Sequence, residues 1–444
     1  MNNKYTTYIS RIYLENIKCF KGVNDFNLLD ENGKIVQWTV ILGNNNSGKT
    51  NILKSIADLE PRLLKFGEEN KEEVKKNCAP LNLMRSVNYE KTNSLKDDKT
   101  ERFIGCDILY KKRSSSKLHF NGSFSLFEKE KRRENNNRPD WGFKPFKMWT
   151  GGEYDILSNL QIYGYGVTRR AGNKGLIGKE DNNNSSTLFN PEMSLINIED
   201  WLLQLDYANK NNQKVATENL KKLKSLIKSG IFPDIFDFKF DSSENLKNNI
   251  LFKTKSGWTK LEDLGYGYQT TLSWIIDLCK KMFERYPRST NPLSEPAVVL
   301  IDEIDLHLHP SWQKNVVKFL SEIFPATQFI VTSHSPLVIQ SLEKLNLFIL
   351  DNSENGVLIN KSSKTTFKGW SIEEILEDVM NLENGNYSDT YNSFFNEFDK
   401  ALDLNDYKTA LSIYNKLDAI LHPNSSDRKI LKLQLSQLID NDKA

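Results

Sequence analysis

Lys49 and Thr50 close the stretch Gly43-Asn44-Asn45-Asn46-Ser47-Gly48-Lys49-Thr50, which fits the spacing G-x-x-x-x-G-K-[ST]. The chemistry served by that spacing is phosphate handling. Successive backbone N–H groups of such a loop converge on a β-phosphate, and the N-terminus of the helix that follows adds a favourable field. Lys49 would neutralise β- and γ-phosphate oxygens, and the Thr50 hydroxyl would bind Mg²⁺. The loop must pass through conformations that a β-carbon disfavours. Glycine adopts them freely, and asparagine tolerates them better than most residues.

Two more groups fit the same chemistry. Asp302 would complete the Mg²⁺ shell, and Glu303 would orient or deprotonate an attacking water, because in-line phosphoryl transfer needs a positioned nucleophile. His334 could donate a hydrogen bond to a γ-phosphate. Taken alone, Asp302-Glu303 reads equally as a solvated acidic turn; the upstream loop favours the chemical reading. His307, His309 and His334 are three of five histidines. A zinc site is disfavoured, since no cysteine lies near them and residues two apart do not share a helical face.

Each group needs an element to place it. Gln37 to Leu42 reads as a buried strand, and Asn51 to Leu59 carries Leu53, Ile56 and Ala57 at helical spacing, so the loop sits between strand and helix. Ala297 to Ile301 is apolar throughout, as in a parallel sheet buried on both faces, and such sheets bind ligands at their C-terminal ends. Gln328 to Thr332 is another apolar strand, and Pro336 can open a helix over Leu337 to Leu345.

Together these pieces resemble the ABC-type ATPases of the SMC, RecF and OLD-like group. The segment from Ile12 to Phe20 (IYLENIKCF) is similar to their first strand. Leu300 to Asp305 with His307-Leu308-His309-Pro310 resembles their extended Walker B and D-loop, and Val331 to Pro336 their switch histidine. Leu264-Gly265-Tyr266-Gly267-Tyr268-Gln269 occupies the place of their signature motif, with two departures. Gly265 stands where a serine usually contacts the γ-phosphate across the dimer, and Tyr266 replaces the first signature glycine. Gly267 and a helix start remain, so backbone N–H groups could receive the phosphate without the hydroxyl. That departure puts strong closure or fast turnover in doubt. Within the group, the chain is similar to the compact ATPases of prokaryotic antiphage defence, those of Septu systems and retrons. The residues behind this are Ile162 to Arg170 (IYGYGVTRR), Gly267-Tyr268-Gln269 and Gly369-Trp370-Ser371.

The resemblance implies an α/β fold of the P-loop NTPase class: an ABC-type head with a mixed sheet, an antiparallel β lobe, a helical lobe and an all-α C-terminal extension. It implies ATP and Mg²⁺, with Glu303, His334 and Lys49 as catalytic groups. Gly43, Asn44, Asn45, Asn46, Ser47, Gly48, Lys49 and Thr50 would hold the nucleotide, joined by Gly265 and Gly267 of a second subunit. Thr50 and Asp302 would hold the metal. A homodimer or higher homo-oligomer follows, and so does a separately encoded effector nuclease, often of the HNH type, since this chain carries no H-N-H pattern.

The expected organisation is a split ATPase core over 1–60 and 256–350. A β-rich insertion over 61–170 continues its lobe, a helical lobe covers 171–255, and a C-terminal helical region for partners or self-assembly covers 351–444. In the insertion, Arg102 to Tyr110 and Lys117 to Phe127 read as antiparallel strands, and Lys129 to Arg138 and Lys174 to Ser186 as exposed segments. Helices are expected over Ile198 to Ala208 and Val215 to Ser229, and strands over Phe236 to Phe240 and Ile250 to Thr254. The tail should form helices near 372–381, 388–402, 406–421 and 425–440. Ser371 and Glu374 make a capping box there, and Tyr407, Leu411, Tyr414, Leu417 and Leu421 form one stripe. A helical cap and a docking platform both fit that tail.

The net charge of +2 does not demand nucleic acid. DNA stays open as a partner through Lys111-Lys112-Arg113 and Lys131-Arg132-Arg133, although Glu128, Glu130 and Glu134 dilute the second cluster. Either Arg169 or Arg170 would meet a nucleotide or DNA phosphate, and Gln161 reads as a metal-sensing glutamine or as an ordinary strand-edge residue. Four cysteines without paired spacing, no secretory core and no span-length apolar run lead to a cytoplasmic expectation with no membrane contact. No heptad run is long enough for an SMC coiled coil. Three activities remain in view: a hydrolysing ATPase, a nucleotide-sensing scaffold with negligible turnover, and a DNA-repair ATPase. The last is disfavoured by the missing coiled coil and the near-neutral charge.

Overall fold

The structure is a computed structural model that describes residues 5–64, 77–80, 103–113, 156–172, 184–242, 248–354, 356–382 and 387–441. In chain order the first strands are β1 (Tyr5–Ile17), β2 (Phe20–Asn27) and β3 (Trp38–Gly43), followed by helix α1 (Lys49–Asp58). Then come β4 (Pro61–Leu64), β5 (Asn77–Pro80), β6 (Phe103–Lys112), β7 (Ile162–Tyr165), α2 (Ser186–Phe189), α3 (Ile198–Lys210) and α4 (Lys214–Lys228). Strands β8 (Asp237–Ser242), β9 (Asn248–Thr254) and β10 (Gly257–Lys260) precede α5 (Tyr266–Arg285). The alternation β11 (Ala297–Ile301), α6 (Pro310–Ile323), β12 (Thr327–Thr332), α7 (Pro336–Ser341), β13 (Asn346–Ser353) and β14 (Gly356–Lys361) follows. The chain closes with α8 (Ile372–Asp378), α9 (Asp389–Asp403), α10 (Tyr407–Ile420) and α11 (Ser426–Asn441).

The central sheet has the order β14-β13-β3-β12-β11-β7. Its inner strands are parallel and β14 adds an antiparallel edge, so the sheet is mixed. Strands β7, β11 and β12 are buried at every position, as suits a parallel sheet covered on both faces. The C-terminal ends of β3, β12, β11 and β7 therefore lie side by side. Between β3 and β11 sits β12, so the phosphate-type loop and the acidic pair are two strands apart.

An antiparallel sheet, β2-β1-β6, is the second layer. Its inward residues Ile9, Ile12, Leu14, Phe26, Cys106 and Ile108 meet Ile52, Leu53 and Ile56 of α1 and Val298, Leu300 and Ile330 of the central sheet in one core. Buried Gln328 ties the two layers, accepting from Ile9 N at 3.1 Å and donating to Ile9 O at 2.8 Å. On α6, Ser321 receives the indole N–H of Trp38 at 2.8 Å. A separate antiparallel sheet, β10-β9-β8, precedes α5.

Several sequence expectations shift. Residues 103–112 pair with β1, and Lys117 to Phe127, Lys129 to Arg138 and most of Lys174 to Ser186 lie outside the described residues. The helix opened by Pro336 stops at Ser341, and the chain then enters the β13–β14 hairpin. That hairpin completes the central sheet, so the compact units divide at Trp370/Ser371, later than the expected 351 boundary. β10 was not anticipated: its four residues carry one large apolar side chain, Trp258, which is exposed.

The second unit, Ser371–Ala444, is all-α. Its capping box is present: Ser371 Oγ accepts from Glu374 N at 3.1 Å, and Glu374 Oε2 accepts from Ser371 N at 2.7 Å. The stripe on α10 is rotated from the expected one. Ala410, Ile413 and Leu417 are buried, while Tyr407, Leu411, Tyr414 and Leu421 flank them half-buried. Large side chains dominate a periodicity reading, whereas small Ala410 is fully buried in this core.

Candidate active site

The turn from β3 into α1 is built by glycines that nothing else could replace. Gly48 has φ 91°, and a Cβ there would lie 2.5 Å from Cys19 Sγ and 2.8 Å from Phe20 Cζ. At Gly43 a Cβ would lie 2.5 Å from Ser47 Oγ and 2.8 Å from Leu350 O. Asn46 takes a left-handed conformation, φ 64°, as an asparagine can. Asn44 and Asn45 complete the turn, and Ser47 Oγ is buried there with no hydrogen-bond partner. A cradle of this shape, lined by backbone N–H groups and an unmet hydroxyl, fits a phosphate.

Lys49 Nζ donates to Gly43 O at 2.7 Å and Asn44 O at 2.9 Å, so its ammonium folds back over the loop. Burial holds its pKa below the ordinary lysine value, while Glu303, Asp302 and Asp305 favour its charge. Thr50 Oγ1 donates to Asp302 Oδ2 at 2.7 Å, which joins the loop to the end of β11 across β12. Thr332, the last residue of β12, bridges the gap. Its hydroxyl donates to Asp302 Oδ1 at 2.7 Å and accepts from Glu303 N at 2.7 Å. Thr50, Asp302, Thr332 and Glu303 thus form one continuous hydrogen-bonded line over the sheet. Thr50 and Asp302 present the hard oxygen donors that suit Mg²⁺, so this pair fits the ion expected there.

Glu303 follows the strand at φ 49°, a left-handed bend. His334 is exposed on the loop after β12, and its backbone N–H donates to Asp305 Oδ1 at 3.3 Å. The other two histidines are structural: His309 caps α6 by accepting from Ser311 N at 3.3 Å, and His307 turns the chain at φ 64°.

The signature segment is placed differently from the rest. Gly265 is the N-cap of α5, with no side-chain cap bond, and Tyr266 is 50% exposed, its ring edge-on to His307 at 4.9 Å. Gly267 presses against the His307 carbonyl, where any Cβ would overlap. Tyr268 stacks on Trp312 at 4.7 Å and hydrogen-bonds Asp234, and Gln269 donates to Leu264 O at 2.7 Å. Gly267 therefore serves close approach of α5 to the turn after β11, a use its motif position does not reveal.

Gln161 lies at the start of β7, the end of the sheet away from the loop, and its amide donates to Ser158 O and Leu160 O. At about 3.3 Å per residue, the length of β7 separates it from Asp302. It is a strand-edge glutamine. Arg170 is exposed beside Glu192, whereas Arg169 is buried and donates to Glu303 O at 2.8 Å. Thr332 and Arg169 are the site residues that motif reading underweighted. Thr332 ends a predicted strand and Arg169 follows one, and that position is the signal that could have found them.

A family model described as "AAA domain, putative AbiEii toxin, Type IV TA system" matches residues 177–340, the part that carries Asp302, Glu303 and His334. The chain is 33% identical over 240 residues to a Septu protein PtuA of Bacillus thuringiensis, covering 53% of this chain and 57% of that protein. It is 40% identical over 114 residues to the retron Ec83 probable ATPase of Escherichia coli, covering 26% of this chain and 21% of that one. Over these spans the chain is similar to proteins named for Septu systems and retrons. It spans about half the length of the Septu relatives it matches. Among solved structures, the SMC head domain from Thermotoga maritima aligns over 80% of this chain and 99% of that one, at 15% identity and a TM-score of 0.37. Among the described residues no helix is long and apolar enough to cross a membrane.

Proposed function

We propose that the chain binds ATP with Mg²⁺ and hydrolyses it, and that two copies close around two nucleotides to control a separately encoded effector nuclease. The observation that supports this reading is the line Thr50–Asp302–Thr332–Glu303, which ties a metal-type pair and the backbone of Glu303 to the phosphate-type loop. Residues 43–50 would wrap the β-phosphate with backbone N–H groups, and Lys49 would swing from the Gly43 and Asn44 carbonyls to phosphate oxygens. Thr50 and Asp302 would hold Mg²⁺, which when bound supplies charge neutralisation at the bridging oxygens. Glu303 takes the proton of the attacking water, and His334 donates to the γ-phosphate. Gly265 and Gly267 belong at the partner's nucleotide, as the signature does in the family the chain resembles. The nuclease, of the HNH type, is carried over from the likeness to Septu and retron ATPases.

A second reading, a sensor that binds ATP with negligible turnover, is favoured by Tyr266. Its exposed ring stands where the family keeps a small residue, and Gly265 brings no hydroxyl. Glu303→Gln separates the two. With ATP and Mg²⁺, sedimentation of this variant should show a long-lived dimer of the 51.3 kDa chain, while wild type returns to its starting state as ATP is consumed. Identical behaviour of the two proteins would favour the sensor.

A further inference from the structure

Arg169 is 3% exposed and, among the described residues, makes one hydrogen bond, from Nη2 to the Glu303 carbonyl. Its Nη1 is buried with no partner among the described residues. Leaving a buried donor unmet costs about 1–3 kcal/mol, and more when the group is charged. Burial pushes the guanidinium pKa down to about 10, against the pull of Asp302, Asp305 and Glu303. A residue that only filled space would not be an arginine in this position.

The backbone on both sides of the bond is strained as well. Arg169 has φ 29° and Glu303 has φ 49°, neither of them glycine. Such residues persist only where their surroundings over-determine them. They lie past the ends of β7 and β11, which are adjacent and in register at Tyr165 and Ile301. The Glu303 amide is held on its other flank by Thr332 Oγ1. With Thr332 on the N–H, and Arg169 on the C=O beside the Leu306 N–H at 3.0 Å, both backbone polar groups of Glu303 are pinned, and Arg169 supplies the side-chain share of that hold.

We propose that Arg169 is a positioning residue for Glu303, locking the left-handed bend that aims the carboxylate and supplying a resident cation beside Asp302, Glu303 and Asp305. The consequence for turnover rests on the hydrolytic reading of Glu303; the tether itself does not.

The test uses the full chain as wild type, Arg169→Ala, Arg169→Lys and Glu303→Gln, with three readouts: amide hydrogen exchange, ATP affinity and phosphate release. In Arg169→Ala, exchange at residues 303–308 should rise about tenfold or more while β11 stays protected. kcat should fall about 100-fold, the size expected for a misaimed group. ATP affinity should stay within about threefold. Arg169→Lys, which keeps the charge and one donor, should recover about tenfold of that kcat loss and show intermediate exchange. If the alanine variant does not fold, the lysine variant carries the same comparison. Unchanged exchange over 303–308 would overturn the tether. So would a kcat that ignores the loosened segment, or an ATP affinity that falls as far as kcat, which would put Arg169 on the nucleotide instead. If wild type and Glu303→Gln release phosphate equally, the hydrolytic reading fails, and the exchange data still decide the role of Arg169.

Discussion

Lys49 is held over the loop by two carbonyls, in a setting that lowers its pKa through burial. This has a measurable sign. The unliganded lysine loses its proton below the ordinary value of about 10.4, whereas triphosphate oxygens favour the charged form. ATP should therefore bind with constant affinity near neutral pH and weaken as pH climbs towards 10, taking up a proton on binding. Titration calorimetry in two buffers of different ionisation heat would show that uptake; affinity indifferent to pH up to about 10.4 would contradict it. Thr332 offers a second check. Thr332→Val keeps the shape but leaves Asp302 Oδ1 and Glu303 N without their shared partner, at a cost of about 1–3 kcal/mol for each unmet buried group. Its midpoint in urea should drop accordingly, and its phosphate release should fall; wild-type values for both would show that the bridge is dispensable. The sequence made Lys49, Thr50 and Asp302 legible because motif spacing encodes local geometry. Thr332 and Arg169 act through partners 30 and 134 residues away, which spacing cannot encode.

At the level of elements, the turn between β1 and β2 is part of the phosphate loop's foundation. Cys19 and Phe20 pack so closely on Gly48 that a methyl group has no room, and its φ of 91° adds backbone strain for any other residue. Gly48→Ala should lose at least about 1–2 kcal/mol from the left-handed backbone alone, and more from the overlap, with nucleotide binding reduced in parallel. Thermal melting with and without ATP measures both, and a variant as stable as wild type would refute the packing argument. The parallel strands β3, β11 and β12 were readable because strands buried on both faces leave largely apolar runs, whereas β13 was not anticipated. The helices of the second unit were readable from period and caps, as the Ser371–Glu374 box shows. What escaped was decided by small or solitary residues: Ala410 at the centre of the α10 stripe, Trp258 alone in β10, and Gly267 against His307.

Across the whole molecule, the chain separates into an α/β unit that holds the proposed nucleotide site and a unit from Ser371 onward whose described elements are all helices. The order β13-β3-β12-β11-β7 could not be read locally, since β7 arises from the long insertion and pairs with residues 136 positions later. That order nonetheless brings Gly43, Asp302 and Thr332 to one edge, so the site is a property of the topology. The most direct measurement of the central claim is phosphate release from ATP–Mg²⁺ by the purified chain beside Glu303→Gln and Lys49→Ala. The account predicts turnover in wild type that is lost in both variants, with ATP binding kept in Glu303→Gln and lost in Lys49→Ala. Wild-type protein that binds ATP and releases no phosphate, or releases it as fast without Glu303, would contradict it.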